Sequence, residues 1–337
     1  MEKRMKPKTK EQSKLVKFNM FFRKYMTVWV FAAIFFGFAF GYYTKINLSL
    51  LVLPLVFVMI YVMIIPTRFS LFVKVFQSPK ELLLGLLNIL VVAPIIAFAT
   101  SYLLLADHNL VAGFTLAGAV PPGGMNAAWT GLLGGNVPIA IVLQALTLIL
   151  SVVQVPYTLQ LLVGTYVEIP VSLLMRSLSV LVFLPLTAGF LTRQAVIKTA
   201  GEGKIDEVRP LFPVLSGMAA LGVVFVAASL QASRIISNPS IISSAIVVAV
   251  IYYTLLFFTG TAISRAANLN YENSIPVIYG GATKNLSIAI ALAIAAFPHS
   301  NVVLAVIACF MVQMPMASVF FRVVPKILKK GNVSLIS

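Results

Sequence analysis

Apolar runs of about 20 residues recur along almost the whole of the 337-residue chain, and nothing else in it constrains the fold as strongly. A helix of about 20 apolar residues crosses a hydrocarbon layer roughly 30 Å thick. The chain is 60% hydrophobic and 10% charged, whereas soluble domains carry roughly 25% charged residues. No water-soluble core needs that much apolar surface. Transmembrane barrel strands alternate polar and apolar residues over about ten positions, but these runs are apolar on every face. The expectation is an all-α membrane protein.

Ten spans are expected, approximately 26–44, 46–65, 82–105, 109–133, 137–163, 170–192, 210–231, 239–263, 274–297 and 300–323. The formal net charge of +16 suggests nucleic acid only until its placement is read. Nine of the 25 Lys and Arg lie between Lys3 and Lys24. With the N-terminus in the cytoplasm, 21 of the 25 fall in cytoplasmic segments, which is the positive-inside pattern. Residues 1–25 therefore read as a basic cytoplasmic tail able to touch anionic lipid, not as a signal peptide. Both termini are expected in the cytoplasm of a multi-pass protein of the cell membrane. The partners are the lipid bilayer and a small-molecule or ion substrate, with no nucleic acid.

The halves resemble one another at an offset of 159 residues. Asn126 corresponds to Asn285, Gln154 to Gln313 and Pro156 to Pro315, and VVQVP at 152–156 to MVQMP at 311–315. This reads as an internal duplication, with a first five-helix repeat over 26–163 and a second over 164–325, followed by a tail over 326–337. Five is odd, so the second repeat must be inverted.

Span four carries Pro121-Pro122-Gly123-Gly124 at its middle, and span nine carries Gly280-Gly281-Ala282-Thr283-Lys284-Asn285 at the matching place. Proline removes a backbone donor and glycine relaxes φ, so both helices are expected to break there. A break in lipid survives only where protein or a watery cavity covers it. Paired breaks in inverted halves are the strongest sequence pointer to a transporter's binding site; a pair of kinked helices with small residues for packing is the bland alternative. Pro156 and Pro315 are hinge candidates, although helix packing alone would also explain them.

Lys284 is the one charged side chain deep inside a predicted span, at a cost on the order of 3 kcal/mol on insertion scales. Three readings are open. It binds an anionic substrate, or it is a fixed internal cation held by half-helix carbonyls, or it titrates and couples transport to protons. Asn126, Asn285, Thr130, Thr283 and Ser287 would supply neutral hydrogen bonds, or would only link helices. His108 and His299 fall in separate external loops and suggest no metal site. Arg176 reads as snorkelling, and Cys309 and Trp129 as packing. The chain shows no phosphate-binding loop, and no cofactor is implied.

At the two breaks the chain resembles the bile acid:sodium symporter superfamily, and within it the arsenite permease branch. The span-four pattern is carried by Pro121, Met125, Trp129, Gly135 and Asn136, and the span-nine pattern by Gly281, Ala282, Asn285 and SIAIALAIAAF. The resemblance implies ten transmembrane helices, broken helices four and nine crossing at the midplane, and alternating access by a secondary transporter. The chain departs from the pattern in two ways. Arsenite permeases have a cysteine where it has Pro122 and a glutamate where it has Ser287. Sodium-coupled relatives hold Na⁺ with a glutamate that aligns with Gly280, beside a glutamine that aligns with Lys284. An ammonium in place of a sodium ion suggests a sodium-independent member. The expected function is transport of an organic anion or oxyanion. Arsenite or antimonite efflux is the runner-up, a membrane receptor or sensor that has lost transport a further alternative, and an enzyme is not expected.

Overall fold

The computed structural model of the protein describes residues 10–67, 78–298 and 300–332. The first nine residues, Arg68, Lys74 and His299 lie outside that set. The described residues are helical throughout, with no strand beyond one isolated bridge. In order the helices are α1 (Lys10–Lys24), α2 (Met26–Thr44), α3 (Val52–Ile64), α4 (Pro79–Leu104), α5 (His108–Ala119), α6 (Met125–Leu132) and α7 (Val137–Val163). There follow α8 (Val171–Ala200), α9 (Glu202–Val208), α10 (Phe212–Ser237), α11 (Pro239–Ala266), α12 (Tyr271–Ala282), α13 (Leu286–Ala296) and α14 (Val302–Asn332).

Seven of these are long and apolar enough to cross a membrane: α2, α4, α7, α8, α10 with its α9 extension, α11 and α14. Their outer surface agrees with lipid as the solvent, for Leu103 and Leu161 are about four-fifths exposed. The expected second span is shorter than read, because a 3-10 turn at Ser49–Leu51 precedes α3. Asn47 Oδ1 accepts the Ser49 N–H at 2.9 Å and closes that turn. The expected fourth and ninth spans are each two short helices, α5 with α6 and α12 with α13. The last helix runs on to Asn332, and Lys10–Lys24 is a helix too.

Packing brings α10 along α2 and α3, and α3 along α8. Helix α11 packs on α14, α12 and α4, while α5 packs on α4, α14 and α7. Small residues set the closest approach. A Cβ at Gly37 would lie 2.3 Å from the Phe225 carbonyl oxygen, and one at Gly41 2.1 Å from that of Ser229. Two glycines one turn apart thus let the backbones of α2 and α10 touch, as in other small-xxx-small contacts. Gly41→Ala must push the helices apart and is expected to cost about 1–3 kcal/mol. Thermal unfolding of the purified protein checks this against Gly203→Ala, whose Cβ would meet nothing within 4 Å.

At one end of the molecule Arg193 is buried, and donates to the Ile65 carbonyl at 3.0 Å and to Glu202 at 2.9 Å. It ties the end of α3 to α9, a structural role hidden behind its place in a basic run.

Candidate functional site

Helix α5 stops at Ala119 and α6 starts at Met125, while α12 stops at Ala282 and α13 starts at Leu286. The backbone groups that these ends would leave bare find each other. Gly123 N–H donates to the Thr283 carbonyl at 2.9 Å, and Asn285 N–H to the Pro121 carbonyl at 2.8 Å. Together they make a two-bond antiparallel bridge that centres on Pro122 and Lys284. In lipid each unpaired backbone group costs several kcal/mol, so two prolines and two glycines survive here because the other break completes them.

Gly280 and Gly281, read as break residues, lie inside the last turn of α12, and the chain opens only after them, at Thr283. Their smallness has a different cause. A Cβ on Gly281 would lie 2.3 Å from Asn88 Nδ2 on α4, and one on Gly280 3.2 Å from Ile89 Cδ1. Close approach to α4 requires the glycines, and Asn88 uses it to donate to the Val277 carbonyl at 2.9 Å.

Helix α4 carries a π-helical turn at Asn88–Val92, where Ala93 N–H bonds back to Asn88. Pro94 follows and has no N–H. The Ile89 and Leu90 carbonyls, five and four residues back, are the ones that residue would have served. Both find side-chain donors from elsewhere. Lys284 Nζ donates to the Ile89 carbonyl at 2.9 Å, and Gln154 Nε2 to that of Leu90 at 3.1 Å. The ammonium is therefore held by a carbonyl that a π turn and a proline set free. Such turns gather at functional sites.

Gln313 on α14 grips the same residue through its backbone. Its Oε1 accepts the Lys284 N–H at 2.9 Å and its Nε2 donates to the Lys284 carbonyl at 3.1 Å. Tyr253 OH donates to that Oε1 at 3.1 Å. Gln154 and Gln313 stand at the 159-residue offset, yet they serve different partners. The residue 159 positions after Pro94 is Tyr253, so α11 has no proline to free a carbonyl there. Gln313 turns instead to the broken chain.

A cavity of about 430 Å³ lies beside the bridge. Of the residues singled out from sequence, Pro122, Gly123, Gly124, Lys284, Asn285 and Ser287 line it. Thr283 turns back on its own helix and donates to the Tyr279 carbonyl at 2.7 Å. Asn126 and Thr130 are fully buried one turn behind the wall, with their side chains 3.5 Å apart. Asn126 Nδ2 is buried without a hydrogen-bond partner. Pro156 and Pro315 sit within the unbroken helices α7 and α14 and are not among the lining residues. Gln144, Gln313, Ser216 and Arg209 also line the cavity, as do Met26, Met59, Met63, Met125 and Met314. Lys284 brings positive charge, as does Arg209, which pairs with Asp206 at 3.5 Å, and no carboxylate is among the described lining residues.

Sequence reading missed Pro94, Asn88, Gln313 and Tyr253 as parts of the site. A proline in the middle of an apolar run was the available signal for the first. Trp129 packs on Tyr279 and Phe321, with ring centroids 6.0 and 5.9 Å away. Cys309 is buried in α14, and Arg176 is exposed on α8. His108 is exposed and stacks on Tyr166 at 4.9 Å.

An all-helical, multi-pass membrane chain whose two interrupted helices meet beside a cavity belongs among the membrane transporters, whose substrates are ions or small molecules. Comparison with known proteins gives the family. The chain belongs to the sodium bile acid symporter family, whose model matches residues 53–238. It is 26% identical over 320 residues to the arsenical-resistance protein Acr3 of Alkaliphilus metalliredigens, a match covering 88% of this chain and 90% of that one. To the arsenical-resistance protein Acr3 of Corynebacterium glutamicum it is 27% identical over 303 residues, 82% and 81% of the two chains. A third relative is a probable sodium/metabolite cotransporter, the chloroplastic BASS4 of Arabidopsis thaliana, 25% identical over 221 residues, 62% of this chain and 50% of that one.

Proposed function

We propose that the protein is a secondary transporter that moves an organic anion across the cell membrane by alternating access at the cavity beside the bridge. The observation that carries the reading is the cavity itself. Its volume of about 430 Å³ falls in the range of roughly 300–1,000 Å³ that small organic ligands occupy, with ample room for more than a single oxyanion. Five methionines in its wall are flexible and polarisable, and adapt to a varied carbon skeleton. Arg209, Lys284 and the N-terminal ends of α6 and α13 give it a positive bias.

In this reading ten spans form two inverted five-helix repeats, 26–163 and 164–325. The first comprises α2, α3, α4, α5 with α6, and α7; the second α8, α10, α11, α12 with α13, and α14. Both termini lie in the cytoplasm. Met26, Thr67 and Arg209, near the cytoplasmic ends of their segments in that orientation, line the cavity, which makes this the inward-open form. Asn285 and Ser287 act as substrate ligands at the wall, while Asn126, Thr130 and Thr283 brace the crossing. Lys284 serves as a fixed internal cation, with its ammonium on the Ile89 carbonyl, and the transporter runs without sodium.

Arsenite efflux is the second reading, and the two arsenical-resistance relatives favour it. Arsenite, a soft electrophile, prefers thiolate, and no cysteine is among the described residues lining the cavity. Solute uptake into proteoliposomes tests the proposal, with a panel of organic anions and arsenite, with Na⁺ or with a large inert cation in its place. Organic-anion uptake that persists without Na⁺ is the expected result. Uptake that collapses without Na⁺ would overturn sodium independence, and arsenite flux alone would overturn the substrate class.

A further inference from the structure

The amphipathic face of α1 is left over once the transport site is accounted for. Residues Asn19 and Phe22 of this helix are buried. Asn19 donates to the Pro210 carbonyl, in the 3-10 turn before α10. Phe22 abuts Gly217 on α10, where a Cβ would lie 2.6 Å from its ring, and it lines the cavity. Phe18 and Tyr25, exposed by 49% and 38%, flank that seat, and the opposite face carries Met20 and Phe21, exposed by 66% and 52%, with exposed Lys17 and Lys24. From that face an aromatic series continues into α2. Phe21 lies 5.0 Å from Tyr25 and 6.4 Å from Trp29, and Phe22 lies 6.5 Å from Trp29.

Tyr and Trp rings such as Tyr25 and Trp29 sit at the headgroup level of a bilayer, and Phe packs on the apolar side of interfacial helices. Bulky apolar residues interleaved with lysines on one helix face are the pattern of a segment that lies in the interface and is drawn to anionic lipid. Charge agrees, since nine Lys and Arg and only two acidic residues, Glu2 and Glu11, occupy the first 24 positions.

We propose that α1 is an anionic-lipid-binding arm: Met20 and Phe21 with Lys17 and Lys24 dock on an anionic phospholipid surface, and this docking holds Asn19 and Phe22 seated at the mouth of the cavity. Met20, Phe21, Lys17 and Lys24 lie on the side of the helix away from Asn19 and Phe22, so binding lipid there reinforces the seat and does not compete with it. Each lysine close to an anionic surface favours the docked arm by about five-fold. The interaction is electrostatic in large part, so salt weakens it. The lipid contact stands whether or not the cavity carries solute; only the effect at the mouth rests on the cavity as the solute's path.

The test uses the full chain with Met20→Cys, an exposed position, labelled with a polarity-sensitive fluorophore. The native Cys309 is fully buried. In bilayers with about one-third phosphatidylglycerol the emission should shift to the blue and be quenched by quenchers on the lipid. Raising salt, moving to pure phosphatidylcholine, or substituting Lys10, Lys14, Lys17 and Lys24 together by Gln should each reverse the effect. Equal emission in both bilayers that ignores salt would overturn the proposal, and so would shielding that depends on protein concentration, which would mean a second copy covers the face. Salt on the labelled Met20→Cys chain with its lysines intact tests the idea even if the four-lysine variant fails to fold. A second readout is labelling of Ser216→Cys, in the cavity wall, by a water-soluble maleimide. It should slow by at least about five-fold in the anionic bilayer, in proportion to one seated lysine or more. Unchanged labelling with an intact emission shift would leave the arm lipid-bound and remove its part at the mouth.

Discussion

Lys284→Glu should give no folded protein, whereas Lys284→Met should fold and fail to transport. Ionised, the carboxyl would face the Ile89 carbonyl, which now accepts from the ammonium at 2.9 Å, acceptor to acceptor. Protonated, it could donate there only at the cost of holding a proton near neutral pH, roughly 4 kcal/mol for a glutamic acid. An uncompensated buried charge costs several kcal/mol, a large part of a total stability of about 5–15 kcal/mol. Methionine keeps the apolar stem of the side chain and removes the charge. It orphans the Ile89 carbonyl at about 1–3 kcal/mol, but it also relieves a burial cost on the order of 3 kcal/mol. The two offset, so the unfolding temperature of Lys284→Met should stay within a few degrees of the parent. Without the fixed cation, anion uptake should fall at least about ten-fold, equivalent to about 1.4 kcal/mol. Size-exclusion profiles in detergent read the first result and proteoliposome uptake the second. Parental uptake by Lys284→Met would mean that the charge plays no part in transport.

Gln313→Leu should cost roughly twice as much stability as Gln154→Leu, although the two glutamines occupy equivalent places in the halves. Removing the Gln313 amide leaves the buried Lys284 N–H and Tyr253 hydroxyl without their acceptor. The Lys284 carbonyl keeps the Leu286 N–H at 3.1 Å. Two orphaned groups at about 1–3 kcal/mol each make about 2–6 kcal/mol. Removing Gln154 orphans the Leu90 carbonyl, while Thr158, its other partner at 2.9 Å, can turn its hydroxyl to a helix carbonyl. Side-by-side thermal unfolding should place Gln313→Leu roughly 2–4 °C below Gln154→Leu. Equal losses would mean that the broken chain near Lys284 does not depend on the clamp.

How far the sequence speaks for the site follows from how local each cause is. The interruption between α5 and α6 is written in Pro121-Pro122-Gly123-Gly124, two prolines that break a helix followed by two glycines that leave it cheaply. The second interruption was legible to within a turn, but its glycines misled. Gly280 and Gly281 look like breakers, yet α12 runs through them because their small size serves contact with Asn88 and Ile89 of α4. A residue string carries no mark that separates a glycine kept for φ from one kept for proximity. Thr283 was equally ambiguous; it caps its own helix at Tyr279. Arg193 read as one more cytoplasmic charge, and only the fold buries it against Ile65.

By itself, then, the sequence determined that the chain is helical and lies in a membrane, that two of its helices are interrupted, and that one lysine sits among apolar residues. Each of these follows from hydrophobicity or backbone chemistry within about 20 consecutive residues. Tertiary structure alone decided what the lysine bonds to. Its ammonium meets a carbonyl 195 residues away, freed by a π turn and by Pro94, while its backbone is clamped by Gln313, 29 residues further on. The physical reason is that a buried ammonium takes whichever acceptor packing brings within about 3 Å, and no local rule of sequence states which helix that acceptor comes from.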